Sequence, residues 1–159
     1  KEAIFNIITH SNKFSVELNN SKVLDLFSGV GSFGVECLSR GAKYVTFVEN
    51  YSKTLNILKQ NIQNFELKDK CEIITDNIFD ESFLNNSTFK YEIIFLDPPY
   101  KENKVSQLLS NLFLKEILTD NGIIILHRHK KSAENFPLNF KILEEKIYGL
   151  SKVYFGILS

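Results

Sequence analysis

The chain has 159 residues, 43% of them hydrophobic, and a formal net charge of zero; such a length fits one domain with a core of its own, here expected over residues 1–159. The balanced charge excludes attraction to a polyanion by bulk charge and leaves that task to a local patch. No run approaches the ~18 apolar residues of a membrane span and no signal peptide is expected; Cys37 and Cys71 lie too far apart for a C-x-x-C pair, so buried, reduced thiols and a cytoplasmic protein are expected.

In chain order, the sequence opens on the helical pattern Lys1-Glu2-Ala3-Ile4-Phe5 with no methionine ahead of it, and a missing native N-terminal segment is expected. Apolar runs at Val23–Phe27, Tyr44–Val48, Cys71–Ile74, Ile93–Leu96 and Ile123–Leu126 read as buried strands. Helical stretches separate them at Ser32–Arg40, Ser52–Phe65 and Val105–Leu118, with Arg40-Gly41 and Asn121-Gly122 as stop signals. Strands alternating with helices of this length imply a doubly wound, mostly parallel α/β sheet. The end departs from that rhythm. Phe140–Tyr148 and Lys152–Leu158 flank a short Gly149-Leu150-Ser151 turn, so an antiparallel C-terminal hairpin completes seven strands. Ligands of such sheets bind beyond the carboxyl ends of the strands, where strand order reverses.

Two motifs fall at such ends. In Asp25-Leu26-Phe27-Ser28-Gly29-Val30-Gly31-Ser32-Phe33-Gly34 the glycines satisfy G-x-G-x-x-G between a strand and a helix. Its flanks decide which cofactor suits it. A dinucleotide would rest two phosphates there, yet Asp25 precedes the loop and no lysine or arginine lies between Lys22 and Arg40. A carboxylate suits S-adenosylmethionine, which carries a sulfonium and an ammonium and no phosphate. Glu49 closes the second strand and can accept from both ribose hydroxyls; Asp76 closes the third and can accept from an adenine amino group. The plainer alternative is that these acids cap helix starts.

The second motif is Asp97-Pro98-Pro99-Tyr100, delivered by the apolar strand Ile93-Ile94-Phe95-Leu96. Two prolines stiffen the loop. An exocyclic base nitrogen is a feeble nucleophile because its lone pair is delocalised into the ring. The Asp97 carboxylate and the Pro98 carbonyl can grip its two N–H bonds and aim the lone pair at a methyl group, with Tyr100 stacked on the base. A plain Pro-Pro turn is the competing reading.

With both motifs in hand, the chain resembles the class I methyltransferases, Rossmann-like in fold, and within them the bacterial family that methylates guanine N2 in 16S ribosomal RNA (RsmD-like). The resemblance rests on Glu2-Ala3-Ile4-Phe5-Asn6, the glycine loop, Glu36-Cys37-Leu38-Ser39-Arg40-Gly41-Ala42, Val48-Glu49 and Asp97-Pro98-Pro99-Tyr100. It implies that Asp25, Phe27, Gly29, Gly31, Glu49, Asn50, Asp76 and Asn77 line an S-adenosylmethionine site. Asp97, Pro98, Pro99 and Tyr100 would hold the target base. The implied partner is 16S rRNA, free or in an assembling small ribosomal subunit, met by a monomer.

His127-Arg128-His129-Lys130-Lys131 follows the fifth strand, and Lys101 and Lys104 follow Tyr100. Lys101, Lys104, Arg128, Lys130 and Lys131 could form a positive rim that reads phosphate, although such a run is often only a solvated face. His10, His127 and His129 show no metal-ligand spacing with the cysteines, so no metal is expected. A DNA adenine-N6 methyltransferase would share the Asp-Pro-Pro-Tyr chemistry but needs a target-recognition region. A non-catalytic cofactor-binding RNA module is the alternative from another class.

Overall fold

The computed structural model describes residues 2–85, 87 and 89–159; Lys1, with which the expected first helix opens, lies outside them, as do Asn86 and Thr88. The first helix, α1, spans Glu2–His10. Then come β1 (Lys22–Leu26), α2 (Ser32–Ser39), β2 (Tyr44–Val48), α3 (Ser52–Asn64) and β3 (Cys71–Ile74). The second half holds β4 (Tyr91–Leu96), α4 (Val105–Lys115), β5 (Leu118–His129), β6 (Phe140–Tyr148) and β7 (Ser151–Leu158).

The seven strands form one sheet in the order β3-β2-β1-β4-β5-β7-β6. The first five are parallel, and β7 runs antiparallel to both neighbours. From β1 the chain winds outward through β2 and β3, then returns to the other side of β1 for β4 and β5. Right-handed crossovers in opposite directions put their helices on opposite faces. Strand alternation sorts the core accordingly. Val23, Phe47, Phe95 and Ile125 pack with α1, α2 and α3, whereas Leu24, Leu26, Ile94, Leu96 and Leu126 pack with α4. Reversal between β1 and β4 leaves a crevice at their carboxyl ends. Both motifs open into it.

Helix α2 ends in a Schellman motif: the Ala42 N–H donates to the Cys37 carbonyl (2.9 Å) and the Gly41 N–H to the Leu38 carbonyl (3.2 Å). Gly41 has φ 102, which a side chain would resist. Arg40 lies over the Phe5 ring at 4.4 Å and pairs with Glu36. Phe5 stacks on Phe33, and Phe33 on Phe95 at 3.9 Å. The Leu-Ser-Arg-Gly-Ala segment therefore fastens α1 to α2, and the aromatic stack continues to β4. Cys37 is buried and Cys71 half-buried, both free; burial pushes the Cys37 thiol up, so it packs as a small apolar group.

The expected bounds around the fourth helix and fifth strand are wrong: the expected helix reaches Leu118 and the expected strand spans Ile123–Leu126 alone. Asn121-Gly122 does not stop a helix: α4 ends at Lys115, where Glu116 turns into the left-handed region (φ 52), and Asn121 and Gly122 lie inside β5. Leu118 pairs with Tyr91 but Ile123 with Ile93, so five steps on β5 match two on β4. That bulge folds the chain on itself, and a Cβ at Gly122 would sit 2.8 Å from the Leu118 side chain. The C-terminal hairpin is as expected, with Tyr148 paired to Ser151 across a two-residue turn. Gly149 supplies its positive φ. Among the described residues no helix is long and apolar enough to cross a membrane.

Candidate active site

The glycine loop turns sharply, with positive φ at Phe27, Gly29 and Gly31. Ser28 ties it to β2: its hydroxyl accepts the Val48 N–H (2.9 Å) and donates to the Asp25 carbonyl. The glycines differ in what they permit. A Cβ at Gly29 would meet only Thr54, at 3.9 Å, so that segment lies open to a ligand. At Gly31 it would strike Leu58 at 2.5 Å, and at Gly34 Phe47 at 2.4 Å. These two let α2 pack against β2 and α3.

Asp25 and Glu49 both do what the plainer reading proposed, and both also line a cavity. Asp25 is 1% exposed and accepts the Gly34 N–H at 3.1 Å, in the first turn of α2. The two Glu49 oxygens accept the Gly29 N–H (2.8 Å) and the Tyr51 N–H (3.0 Å). That carboxylate therefore joins the glycine loop to the start of α3 and keeps lone pairs for further donors.

Beyond the strand ends lies a cavity of about 520 Å³. Phe27, Glu49, Asn50, Asp76, Asn77, Asp97, Pro98 and Pro99 all line it, which brings together residues that the sequence spreads over four strand ends. A second cavity, about 430 Å³, is lined by Asp25, Ser28, Gly29, Phe33, Phe95, Asp97 and His127 among others. Phe27 and Asp97 line both. Among the described residues no lysine or arginine lines either one. The first has an apolar wall that sequence reasoning missed, Ile78 and Phe79 directly after Asp76-Asn77. An apolar pair just past a strand end that carries two candidate ligands was the available signal.

Tyr100 stands apart from both. It is 59% exposed, edge-on to His129 at 5.0 Å between ring centroids, and lines a third cavity with Lys101 and Lys131. Lys101, Lys104, Lys130 and Lys131 are exposed, and the Lys104 ammonium lies over the Phe79 ring at 5.2 Å.

Arg128 does not belong to that rim, and this corrects the sequence reading. It is 4% exposed and paired with Glu134. It also donates to the Pro99 carbonyl, the Glu102 carbonyl and the Ser132 hydroxyl, each at 3.0 Å. Four of its five N–H groups are spent inside the protein, so it clamps the Pro-Pro loop and, although it borders the third cavity, keeps a single N–H for any phosphate.

The family described as "Conserved hypothetical protein 95" matches residues 1–157. Ribosomal RNA small subunit methyltransferase D of Buchnera aphidicola is 34% identical over 89% of this chain and 73% of its own length. The Haemophilus influenzae protein of the same name is 34% identical over 84% and 69%. A solved Haemophilus influenzae structure, provisionally called a methylase, superimposes with a TM-score of 0.78 at 31% identity, covering 99% of this chain and 96% of that one. By family match, identity and fold, this chain belongs to the Conserved hypothetical protein 95 (RsmD) family and has the Rossmann-like class I methyltransferase architecture.

Proposed function

We propose that this chain transfers a methyl group from S-adenosylmethionine to the exocyclic N2 amino group of a guanine in 16S ribosomal RNA, free or in an assembling small subunit, and that it works as a monomer. The observation that carries the reading is the pair of acid-lined cavities that share Asp97. Walls bearing Asp25, Glu49, Asp76 and Asp97 without a lysine or arginine among the described lining residues suit a ligand with cationic groups and hydroxyls. They are poor company for a pyrophosphate. The names of the relatives above support ribosomal RNA as the substrate.

Asp25, Phe27, Gly29, Glu49, Asn50, Asp76 and Asn77 would hold the cofactor, and Gly31 would serve by letting α2 pack close. When bound, the cofactor supplies a methyl carbon made electrophilic by its sulfonium. The chain's own residues then have to present the nucleophile. The Asp97 carboxylate and the Pro98 carbonyl accept the two N–H bonds of the guanine amino group and turn its lone pair out of the ring. Asp97, which would already hold one of those N–H bonds, can also take the proton released as the new N–C bond forms and the S–C bond to the methyl group breaks. Pro99 stiffens the loop, and Lys101, Lys104, Lys130 and Lys131 meet phosphates. Tyr100 offers a ring face to the base, a contact of about 1–3 kcal/mol.

The deciding experiment is nucleoside analysis of 16S rRNA from a deletion strain, with and without the gene restored. Loss and recovery of N2-methylguanosine supports the proposal, and unchanged rRNA overturns it. Calorimetry should show S-adenosylhomocysteine binding and no binding of NAD. Glu49→Ala should weaken it by roughly 10-fold, the scale of one charge-assisted hydrogen bond. For Tyr100, the alanine variant should lose far more turnover than the phenylalanine variant. Equal losses would assign the effect to the hydroxyl instead of the ring.

A further inference from the structure

The pair formed by Asp97 and His127 is not anticipated by either motif. Leu96 and Leu126 are partners in the β4–β5 register, so the next residues, Asp97 and His127, leave the sheet side by side. Strand alternation sends both to the face of Phe95 and Ile125, and both line the cavity of about 430 Å³. His127 Nδ1 lies 2.8 Å from Asp97 Oδ1. An ionised carboxylate can only accept, so Nδ1 carries the hydrogen and donates.

This bond answers a problem posed by exposure. The Asp97 side chain is 49% exposed, and a half-exposed carboxylate on a strand end samples several rotamers unless something holds it. Positioning is where a reaction of this type gains most of its rate. Pro98 and Pro99 stiffen the backbone behind Asp97 but do not fix its χ angles. The His127 ring is anchored through β5, which pairs with β4 on one side and, at His127 itself, with Val153 of β7 on the other.

We infer that His127 is a positioning residue for methyl transfer: its Nδ1–H fixes Asp97 Oδ1 and leaves Oδ2 to accept from the substrate amino group. The inference rests on the functional reading above and adds a residue to it. The ring touches neither reacting atom in this role. It acts through Asp97, and a neutral donor at the same place should therefore suffice.

Asparagine provides that donor, because its Nδ2 is attached to Cγ as Nδ1 is in histidine. In single-turnover assays with saturating cofactor and RNA, His127→Ala should be slowed by roughly 10-fold or more, the equivalent of one lost charge-assisted hydrogen bond. His127→Asn should recover most of the rate. The melting temperature should be that of the wild type in both, and saturating cofactor keeps any change in its affinity out of the compared rates. Independently of activity, nitrogen-15 NMR at alkaline pH should find the His127 ring with its proton on Nδ1, and Asp97→Ala should release that preference. An Nε2–H ring in the wild type, full activity in His127→Ala, or equal losses in the alanine and asparagine variants would each overturn the inference. A wild-type chain that methylates no guanine would instead sink the functional reading, and the inference with it.

Discussion

Asp97→Ala is expected to slow methyl transfer by about 10²–10³-fold, the usual cost of removing one preorganised polar contact to a reacting group. Two functions vanish with the carboxylate: the acceptor for one amino N–H and the acceptor for the departing proton. The Pro98 carbonyl survives because it belongs to the backbone, so the variant should retain measurable turnover. Stability should barely change, since the side chain is half exposed and its partner His127 is itself partly open to solvent. Cofactor affinity should fall far less than the rate, because Glu49, Asn50, Asp76 and Asn77 remain in the first cavity. The measurement is a single-turnover rate at saturating cofactor and RNA, paired with calorimetry and a thermal melt. Near-normal turnover would remove Asp97 from the chemistry. Loss of cofactor binding in step with the rate would move it into the cofactor site.

The second large effect is on stability. Arg128→Ala should destabilise the fold by about 3–5 kcal/mol, because removing one member of a buried ion pair leaves the other charge uncompensated. Glu134 would be that charge, with only 8% of its side chain exposed. The carbonyls of Pro99 and Glu102 would lose a donor as well. For a chain of this size, each kcal/mol moves the melting temperature by roughly 2–4 °C, so a drop of order 10 °C should be visible by calorimetry. Activity should fall too, since Arg128 holds the carbonyl side of the Pro-Pro loop. Lys131→Ala is the control: it should melt within a degree or two of wild type and lose RNA affinity alone, more so at low salt. If Arg128→Ala melts normally and shows only weaker RNA binding, the buried clamp is refuted and the phosphate rim regains its arginine.

The contrast between Arg128 and Lys131 marks the limit of what the sequence discloses. The central strands were legible because a strand buried on both faces writes a continuous apolar run; β2 falls at Tyr44–Val48, where that pattern puts it. The crevice followed from topology, and the Asp97 loop lies in it. Arg128 was misread because His127-Arg128-His129-Lys130-Lys131 looks uniformly polar as a string, whereas β5 continues to His129 and strand alternation buries Arg128. The counter-charge, Glu134, comes six residues later in a stretch with no period to announce it. His127 was missed for a related reason. Its meaning depends on register against β4, which a single strand does not carry. The Asn121-Gly122 stop failed because a glycine also suits a bulge, and only Tyr91 and Ile93 on the partner strand tell the two apart.

The strand order also sets a timetable for folding. Strand β1 finds β2 about twenty residues downstream but must wait until β4 exists, some seventy residues on, for its other neighbour. Closing the longer loop costs more chain entropy, and contacts so distant in sequence slow the folding of the parts that need them. The β1-β2-β3 side, with Glu49 and Asp76, is thus the first to be synthesised and the easier to close. The wall that contains Asp97 arrives later, and the β6–β7 hairpin, quick to form alone, buries Val153 and Phe155 only once β5 is in place. A ligand that bridges the early and late sides would bind only the completed sheet, and by mass action it would stabilise the fold across its slowest seam.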